Sequence, residues 1–213
     1  MNFDEFVVSL SKIKNIPLPA ETSQFKMSPP FRQELISRYK EAMKDAKRAG
    51  VLAMFYPDNS HQTHLALILR KTYKGVHSAQ IGFPGGKYEE EDKTLKMTAI
   101  RETWEEIGVP EHQIEVIKQM TEVYIPPSNF YVQPYIGITT KTPEFIKQDE
   151  EVEAIIEVPL NHFLDDSIVM TKSVATSYTV KIDVPAYELN GHIVWGATAM
   201  MLSEIKDILN EVL

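Results

Sequence analysis

Cysteine is absent from the 213 residues, which excludes a disulfide framework, a thiolate nucleophile and any cysteine-ligated zinc or iron–sulfur centre. Long apolar runs are missing too. The longest, 51–56 and 193–202, fall far short of the roughly 18–20 apolar residues that a membrane-spanning helix needs. The N-terminus, Met1-Asn2-Phe3-Asp4-Glu5-Phe6, carries acid where a secretory signal carries base, and no hydrophobic region follows it. A cytoplasmic protein with no membrane partner is therefore expected. Positive charge is also in short supply: 22 Lys and Arg face 30 Asp and Glu, a net −8. That balance argues against a nucleic-acid partner held through its backbone. An anionic ligand would need a local basic patch, a divalent cation, or both.

The 43% hydrophobic and 24% charged residues suffice for a real core, and the length suits one domain with elaborations. Apolar residues at helical spacing (Phe3, Phe6, Val7, Leu10, Ile13) predict a helix over 3–14. Pro17, Pro19, Pro29 and Pro30 predict an extended arm over 15–31. Residues 32–48 read as a helix that Gly50 stops. Strands are expected at 51–56 and 65–69 around a turn at 57–60, then at 114–117, 122–125, 130–138 and 152–158. A short helix at 159–164, strands at 168–172 and 178–184, and a hairpin over 187–194 turning at Asn190-Gly191 follow. Thr198, Met201, Leu202, Ile205, Ile208, Leu209 and Val212 form one stripe of a closing helix. Strands and helices alternate irregularly, which predicts an α+β fold with a mixed sheet between helices.

The chemistry concentrates between Gly82 and Gly108. Gly82-Phe83-Pro84-Gly85-Gly86-Lys87 leads through the acidic Glu89-Glu90-Glu91-Asp92 into a helical stretch from Thr94. Projected at about 100° per residue, Met97, Ile100, Trp104 and Ile107 fall on one face and Glu102, Glu105 and Glu106 on the other. Arg101 stands one turn before Glu105, where it can hold that carboxylate, and Gly108 ends the helix. Carboxylates that converge repel one another unless a cation sits among them, and their oxygens suit hard Mg²⁺ or Mn²⁺ better than zinc. Glycines in the preceding turn let the backbone come close to such an ion or to a phosphate. A solvated acidic helix face gives the same pattern. Between Arg70 and Lys87 there are four bases (Arg70, Lys71, Lys74, Lys87) and no acid, which fits an anionic ligand, although a solvated loop would read alike. Trp104 and Trp195 read as core.

The segment resembles the Nudix box, Gly-x5-Glu-x7-Arg-Glu-U-x-Glu-Glu-x-Gly-U, in which U is a bulky aliphatic residue. Residues 101–109 match its second half, with Thr103 at the first aliphatic position. In the first half Asp92 stands for the Glu, and Arg101 comes one residue late. Both departures, the Phe83-Pro84-Gly85-Gly86-Lys87 opening and Thr98-Ala99-Ile100-Arg101-Glu102 resemble the coenzyme A pyrophosphatase branch of the Nudix hydrolases. So do Tyr124-Ile125-Pro126-Pro127-Ser128, Glu157-Val158-Pro159-Leu160 and Trp195-Gly196-Ala197-Thr198-Ala199. The upstream signature of that branch, Thr-x-Arg-Ser, a His or Arg, then Gly-Gln-Ile, is kept at Arg70, His77, Gln80 and Ile81. It is replaced at Ile68, Lys71 and Ala79.

The resemblance implies an α/β/α sandwich with the box as loop–helix–loop and a Nudix domain over 50–213; it does not reach residues 1–49, which are expected to form an N-terminal helical arm packed on that domain. It implies hydrolysis of the pyrophosphate in coenzyme A or acyl-coenzyme A, with Mg²⁺ or Mn²⁺ as cofactor and a small molecule as the partner; an oligomer is compatible with it. Glu102 and Glu106 are the expected main metal ligands, with Glu105 and the Gly86 main chain contributing. Glu105, held by Arg101, and Glu151 are the candidate bases. Arg70, Lys71, His77, Gln80 and Phe83 are the expected substrate contacts. A Nudix hydrolase of ADP-ribose or another nucleoside diphosphate derivative is the alternative. A non-catalytic nucleotide-binding Nudix module fits less well, because such modules tend to lose box carboxylates and all three are present here.

Overall fold

One face of the N-terminal helix is apolar because it faces the core. In the computed structural model, which describes residues 1–71, 80–175 and 181–213, Phe3, Phe6 and Leu10 of α1 (Phe3–Leu10) are buried, and Phe6 packs 5.0 Å from Phe55. Asn2 caps the helix by accepting from Asp4 N–H at 2.9 Å. The arm that follows is not extended. A 3₁₀ turn, Ser11–Asn15, precedes its prolines, which bracket α2 (Glu21–Gln24) and a second 3₁₀ turn, Phe25–Met27. Glu204, fully buried, ties that arm down by accepting from Ala20 N–H, Gln24 Nε2 and Thr121 N–H at 3.1–3.2 Å.

The helix expected over 32–48 ends much earlier. After α3 (Arg32–Arg38) and a 3₁₀ turn at Ala42–Asp45, strand β1 (Lys47–Pro57) has already begun. Pairing decides this: β1 runs parallel to a later strand from Lys47↔Phe130 to Phe55↔Ile138. Gly50 is therefore a strand residue rather than a helix stop. A Cβ on it would overlap the Leu95 carbonyl oxygen, so glycine lets the box helix lie directly on the sheet.

The chain continues through β2 (Thr63–Arg70), β3 (Ile81–Gly82), β4 (Gly85–Lys87), α4 (Leu95–Ile107), β5 (Glu115–Gln119), β6 (Val123–Ile125), β7 (Phe130–Ile138), β8 (Val152–Pro159) and α5 (Leu160–Leu164). It closes with β9 (Val169–Ala175), β10 (Lys181–Leu189), β11 (His192–Trp195) and α6 (Gly196–Asn210). The expected strand over 178–184 falls partly outside the described residues. The large sheet runs β3-β2-β1-β7-β5, with β4 on β1, β6 on β7 and β8 on β2. The β1–β7 pair is parallel and its other pairs antiparallel, which makes it mixed. A second, antiparallel sheet has the order β11-β10-β9, and Asn190-Gly191 makes its hairpin with φ of 50° and 80°.

Alternation along β1 builds two cores. Leu52, Met54 and Tyr56 pack with Ala99 and Ile107 of α4 on one face. Ala53 and Phe55 pack with α1 and with Leu202, Ile205 and Leu209 of α6 on the other. This is the α/β/α layering, with the box helix on one face of the sheet and α1 and α6 on the other. Among the described residues no helix is long and apolar enough to cross a membrane.

Candidate active site

Thr94 starts α4 by accepting from Met97 N–H at 3.2 Å, and Gly108 ends it in the left-handed conformation with its N–H on the Trp104 carbonyl. Of the face that apolar spacing selects, Ile107 enters the core but Met97 and Trp104 do not. Thr98, Ala99, Thr103, Glu106 and Ile107 are buried, whereas Met97 is 41% and Trp104 51% exposed. Trp104 is therefore not a core residue, and Trp195 is half-buried. Thr98 and Thr103 tolerate burial because their hydroxyls are satisfied, Thr98 on Asp92 and Thr103 on the Ala99 carbonyl at 2.6 Å. This rotation aims Glu102 and Glu106 at the Gly85-Gly86 turn.

Arg101 ties the acidic loop to the helix. Its Nε and Nη2 donate to the buried Asp92 at 2.7 and 3.0 Å, and its Nη1 reaches Glu105 at 2.7 Å and Glu102 at 3.1 Å. Asp92 also accepts from Thr98 and from Glu89 N–H. The Arg101 hydrogen bond, aided by these donors, holds the Asp92 carboxyl at about 2. The Asp that replaces the usual box Glu is thus the anchor of the arginine.

Above this lock lies a cleft of about 520 Å³, lined by Arg70, Gly85, Gly86, Lys87, Glu89, Arg101, Glu102, Glu105, Glu106, Gln148 and Glu151. Glu106 is only 2% exposed. One of its oxygens accepts from Gly85 N–H at 2.8 Å. The other lies 3.2 Å from Arg70 Nη2 yet receives no hydrogen bond. Arg70 Nη2 instead donates to the Gly85 carbonyl at 2.6 Å. Burial, with the charges of Glu102 and Glu151 adding to it, pushes Glu106 up to about 7 against the pull of Arg70 and Gly85. Burial raises Glu102 as well. A Cβ on Gly86 would overlap the Glu102 carboxylate, so this glycine is what lets the turn and the carboxylate meet. A hard cation fits this set, because it would satisfy the orphaned Glu106 oxygen and offset the mutual repulsion of the carboxylates.

Of the expected site residues, Arg70, Gly86, Arg101, Glu102, Glu105, Glu106 and Glu151 all line the cleft. Phe83 does not: it is 2% exposed and belongs to the main core. Lys71 and Gln80 are also absent from the lining. Lys71 N–H donates to the Glu151 carbonyl at 2.9 Å, and the Gln80 carbonyl accepts from Arg70 N–H at 3.0 Å, so both brace residues that do line it. His77 lies outside the described residues. Among the described residues no three Asp, Glu or His side chains are gathered closely enough to hold an ion as they stand. Arg101 draws Glu105 aside, and Gly85 and Arg70 engage Glu106. Glu89 and Gln148 line the cleft without being among the expected site residues, and Gln148 is the one that sequence reasoning gives no role. It sits next to the Asp149-Glu150-Glu151 run, but no motif marks it.

The NUDIX domain family matches residues 46–175, a span that contains the box helix, the Gly85-Gly86 turn and Glu151. The chain belongs to the NUDIX family. Among its NUDIX relatives is the peroxisomal coenzyme A diphosphatase ndx-8 of Caenorhabditis elegans, 28% identical over 155 residues, 72% of this chain and 64% of the relative. Another is the mitochondrial Nudix hydrolase 15 of Arabidopsis thaliana, 36% identical over 122 residues, 56% of this chain but 42% of the relative. The chain therefore spans less than two thirds of the length of either. A crystal structure of a MutT/nudix family protein from Enterococcus faecalis shares the fold with a TM-score of 0.50 at 12% identity, over 84% of this chain and 74% of that one.

Proposed function

We propose that this NUDIX protein is a divalent-metal-dependent pyrophosphohydrolase that cleaves the pyrophosphate of coenzyme A or acyl-coenzyme A. The products would be 3′,5′-ADP and 4′-phosphopantetheine or its acylated form. The observation that carries the hydrolase reading is Glu106: a carboxylate buried at the floor of an acidic cleft, with one oxygen lacking any hydrogen bond. Glu102 and Glu106 would hold Mg²⁺ or Mn²⁺, with Glu105 and the Gly86 main chain as further donors. When bound, such an ion neutralises phosphate charge and makes a water easier to deprotonate. Glu151 takes the proton of that water, because among the described residues its carboxylate has no ion-pair partner, whereas Glu105 is engaged by Arg101. Arg70, braced on the Gly85 carbonyl, offers its guanidinium to the substrate phosphates. Water oxygen bonds to one phosphorus as that atom's bond to the bridging oxygen breaks.

The coenzyme A assignment is supported by the Phe83–Lys87 opening, by the Tyr124–Ser128 segment and by the similarity to the Caenorhabditis elegans coenzyme A diphosphatase. A second reading, ADP-ribose or another nucleoside diphosphate derivative, draws on Ile68, Lys71 and Ala79 in the upstream signature and on the absence of Lys71 from the cleft lining. The test is kcat/KM, with Mg²⁺ and with Mn²⁺, for coenzyme A, 3′-dephospho-coenzyme A, an acyl-coenzyme A and ADP-ribose. Coenzyme A and its thioester should lead, with a loss when the 3′-phosphate is removed. Faster turnover of ADP-ribose than of coenzyme A would overturn the assignment in favour of the second reading.

A further inference from the structure

Glu151 is exposed at the mouth of the cleft, and an acidic side chain on a surface turn ordinarily samples many positions. Its main chain, however, is held from several directions, and most of the bonds lead to one residue. Gln148 Oε1 accepts two backbone hydrogen bonds, from Glu150 N–H at 2.6 Å and from Glu151 N–H at 2.8 Å. The Gln148 carbonyl accepts from Val152 N–H at 2.9 Å, where β8 begins. Gln148 N–H donates to the Glu106 carbonyl at 3.0 Å, and two residues earlier Ile146 N–H donates to the Ile107 carbonyl at 3.1 Å. Those two carbonyls belong to the last turn of α4 and have no partner within the helix. One residue thus closes the turn that carries Glu151 and fastens it to the backbone of Glu106.

We propose that Gln148 is a positioning residue that sets where the Glu151 carboxylate stands relative to Glu102 and Glu106. The chemical reason is the double acceptance by Oε1. This oxygen resembles that of a capping side chain at a helix start: it gives Glu150 N–H an acceptor and adds a second, shorter bond to Glu151 N–H, which also donates to the Gln148 carbonyl at 3.3 Å. The third side of the turn is closed by Lys71 N–H on the Glu151 carbonyl, so loss of Gln148 alone should loosen the turn without unfolding it. That Glu151 moves by way of Gln148 is a claim about geometry; that the movement matters for turnover rests on the proposed role of Glu151 as base.

The experiment uses the full chain and four variants: Gln148→Ala, Gln148→Asn, Glu151→Gln, and Gln148→Ala with Glu151→Gln. Amide hydrogen exchange of the metal-free protein reads the turn, and steady-state kinetics on whichever nucleoside diphosphate derivative turns over fastest reads its consequence. In Gln148→Ala the Glu150 amide should exchange about tenfold faster, as expected for loss of a bond of ordinary strength, and the Glu151 amide, which keeps the Gln148 carbonyl as acceptor, by less. Its kcat should fall about tenfold to a hundredfold, with KM within about twofold. Asparagine, whose carbonyl can reach the N–H groups two and three residues on, should restore both readouts in large part. In the double variant Gln148→Ala should add nothing to the loss in Glu151→Gln. Unchanged exchange in Gln148→Ala, a rise in KM at constant kcat, or losses that multiply in the double variant would each overturn the positioning role. Full kcat in Glu151→Gln would instead overturn the base assignment, and faster exchange in Gln148→Ala would then still place Glu151 under Gln148.

Discussion

Asp92, in the loop before the box helix, and Glu106, near the end of that helix, are carboxylates almost equally unexposed, 3% and 2%, yet they shift in opposite directions. Asp92 accepts four hydrogen bonds, two of them from Arg101, and is held at about 2. Glu106 accepts one, from Gly85, keeps an oxygen with none, and is pushed up to about 7. Solvent exposure is alike in the two, but burial is the largest influence on Glu106, whereas the Arg101 hydrogen bond outweighs burial at Asp92. What differs is whether the fold itself completes the coordination of the charge. Asp92 is completed internally and serves structure, whereas Glu106 is left incomplete at the floor of a cleft, where an external cation can complete it.

The largest expected effect separates the two roles. Glu106→Gln keeps an acceptor for Gly85 N–H and removes the buried charge. It should lower turnover about a thousandfold or more, the equivalent of roughly 4 kcal/mol, while the melting temperature moves by only a few degrees. A Glu106→Gln protein with near-normal metal-dependent turnover would break the comparison. Asp92→Asn should do the reverse to the fold. Removing one partner of a buried ion pair costs about 3 kcal/mol, which at this chain length lowers the melting temperature by roughly 6–12 °C. Calorimetry of the two variants side by side checks both.

The Asp92 comparison sharpens with pH. Its native carboxyl sits at about 2, below its ordinary value. Its contribution is therefore complete above the ordinary carboxylate range and is lost as pH falls from about 4 through 2. Stability of the wild-type protein should fall more steeply across that window than that of Asp92→Asn. Equal slopes in acid denaturation would show that Asp92 is not held by Arg101.

How far these roles were legible in the sequence follows from how local each signal is. The caps of α4, Thr94 and Gly108, and the Asn190-Gly191 turn depend on neighbours two to four residues away and read directly. That Glu102 and Glu106 share a helix face is also local, because four-residue spacing announces it, whereas their approach to the Gly85-Gly86 turn depends on how the helix lies on the sheet. Orientation of the helix did not read from spacing. Apolar spacing chose Met97 and Trp104 for the core, but the sheet instead receives Ala99 over Gly50 and two threonines whose hydroxyls are satisfied within the fold. The early start of β1 depends on pairing with a strand some eighty residues later, which no local pattern in 32–48 contains. Gln148 acts through its own N–H on the Glu106 carbonyl and its side-chain Oε1 on the Glu150 and Glu151 amides, and a lone glutamine before an acidic turn belongs to no motif that announces either. Phe83 was drawn into the site by its motif, although the motif uses it to pack the core.

The smallest effect belongs to that rotated outer face. Trp104→Ala should cost under about 1 kcal/mol, against about 3–5 for a buried tryptophan, and should leave turnover unchanged. A larger loss of stability in chemical denaturation would mean that the tryptophan packs against something on the far side of the helix.

The central claim is that the fold leaves Glu106 incomplete so that, with Glu102, it holds a divalent ion. Mn²⁺ binding to the wild-type protein and to Glu106→Gln, followed by isothermal calorimetry without substrate, tests it directly. Saturable binding in the wild type, weakened at least about tenfold in Glu106→Gln by loss of a charged ligand, is the predicted result. Equal affinity in the two proteins would contradict it.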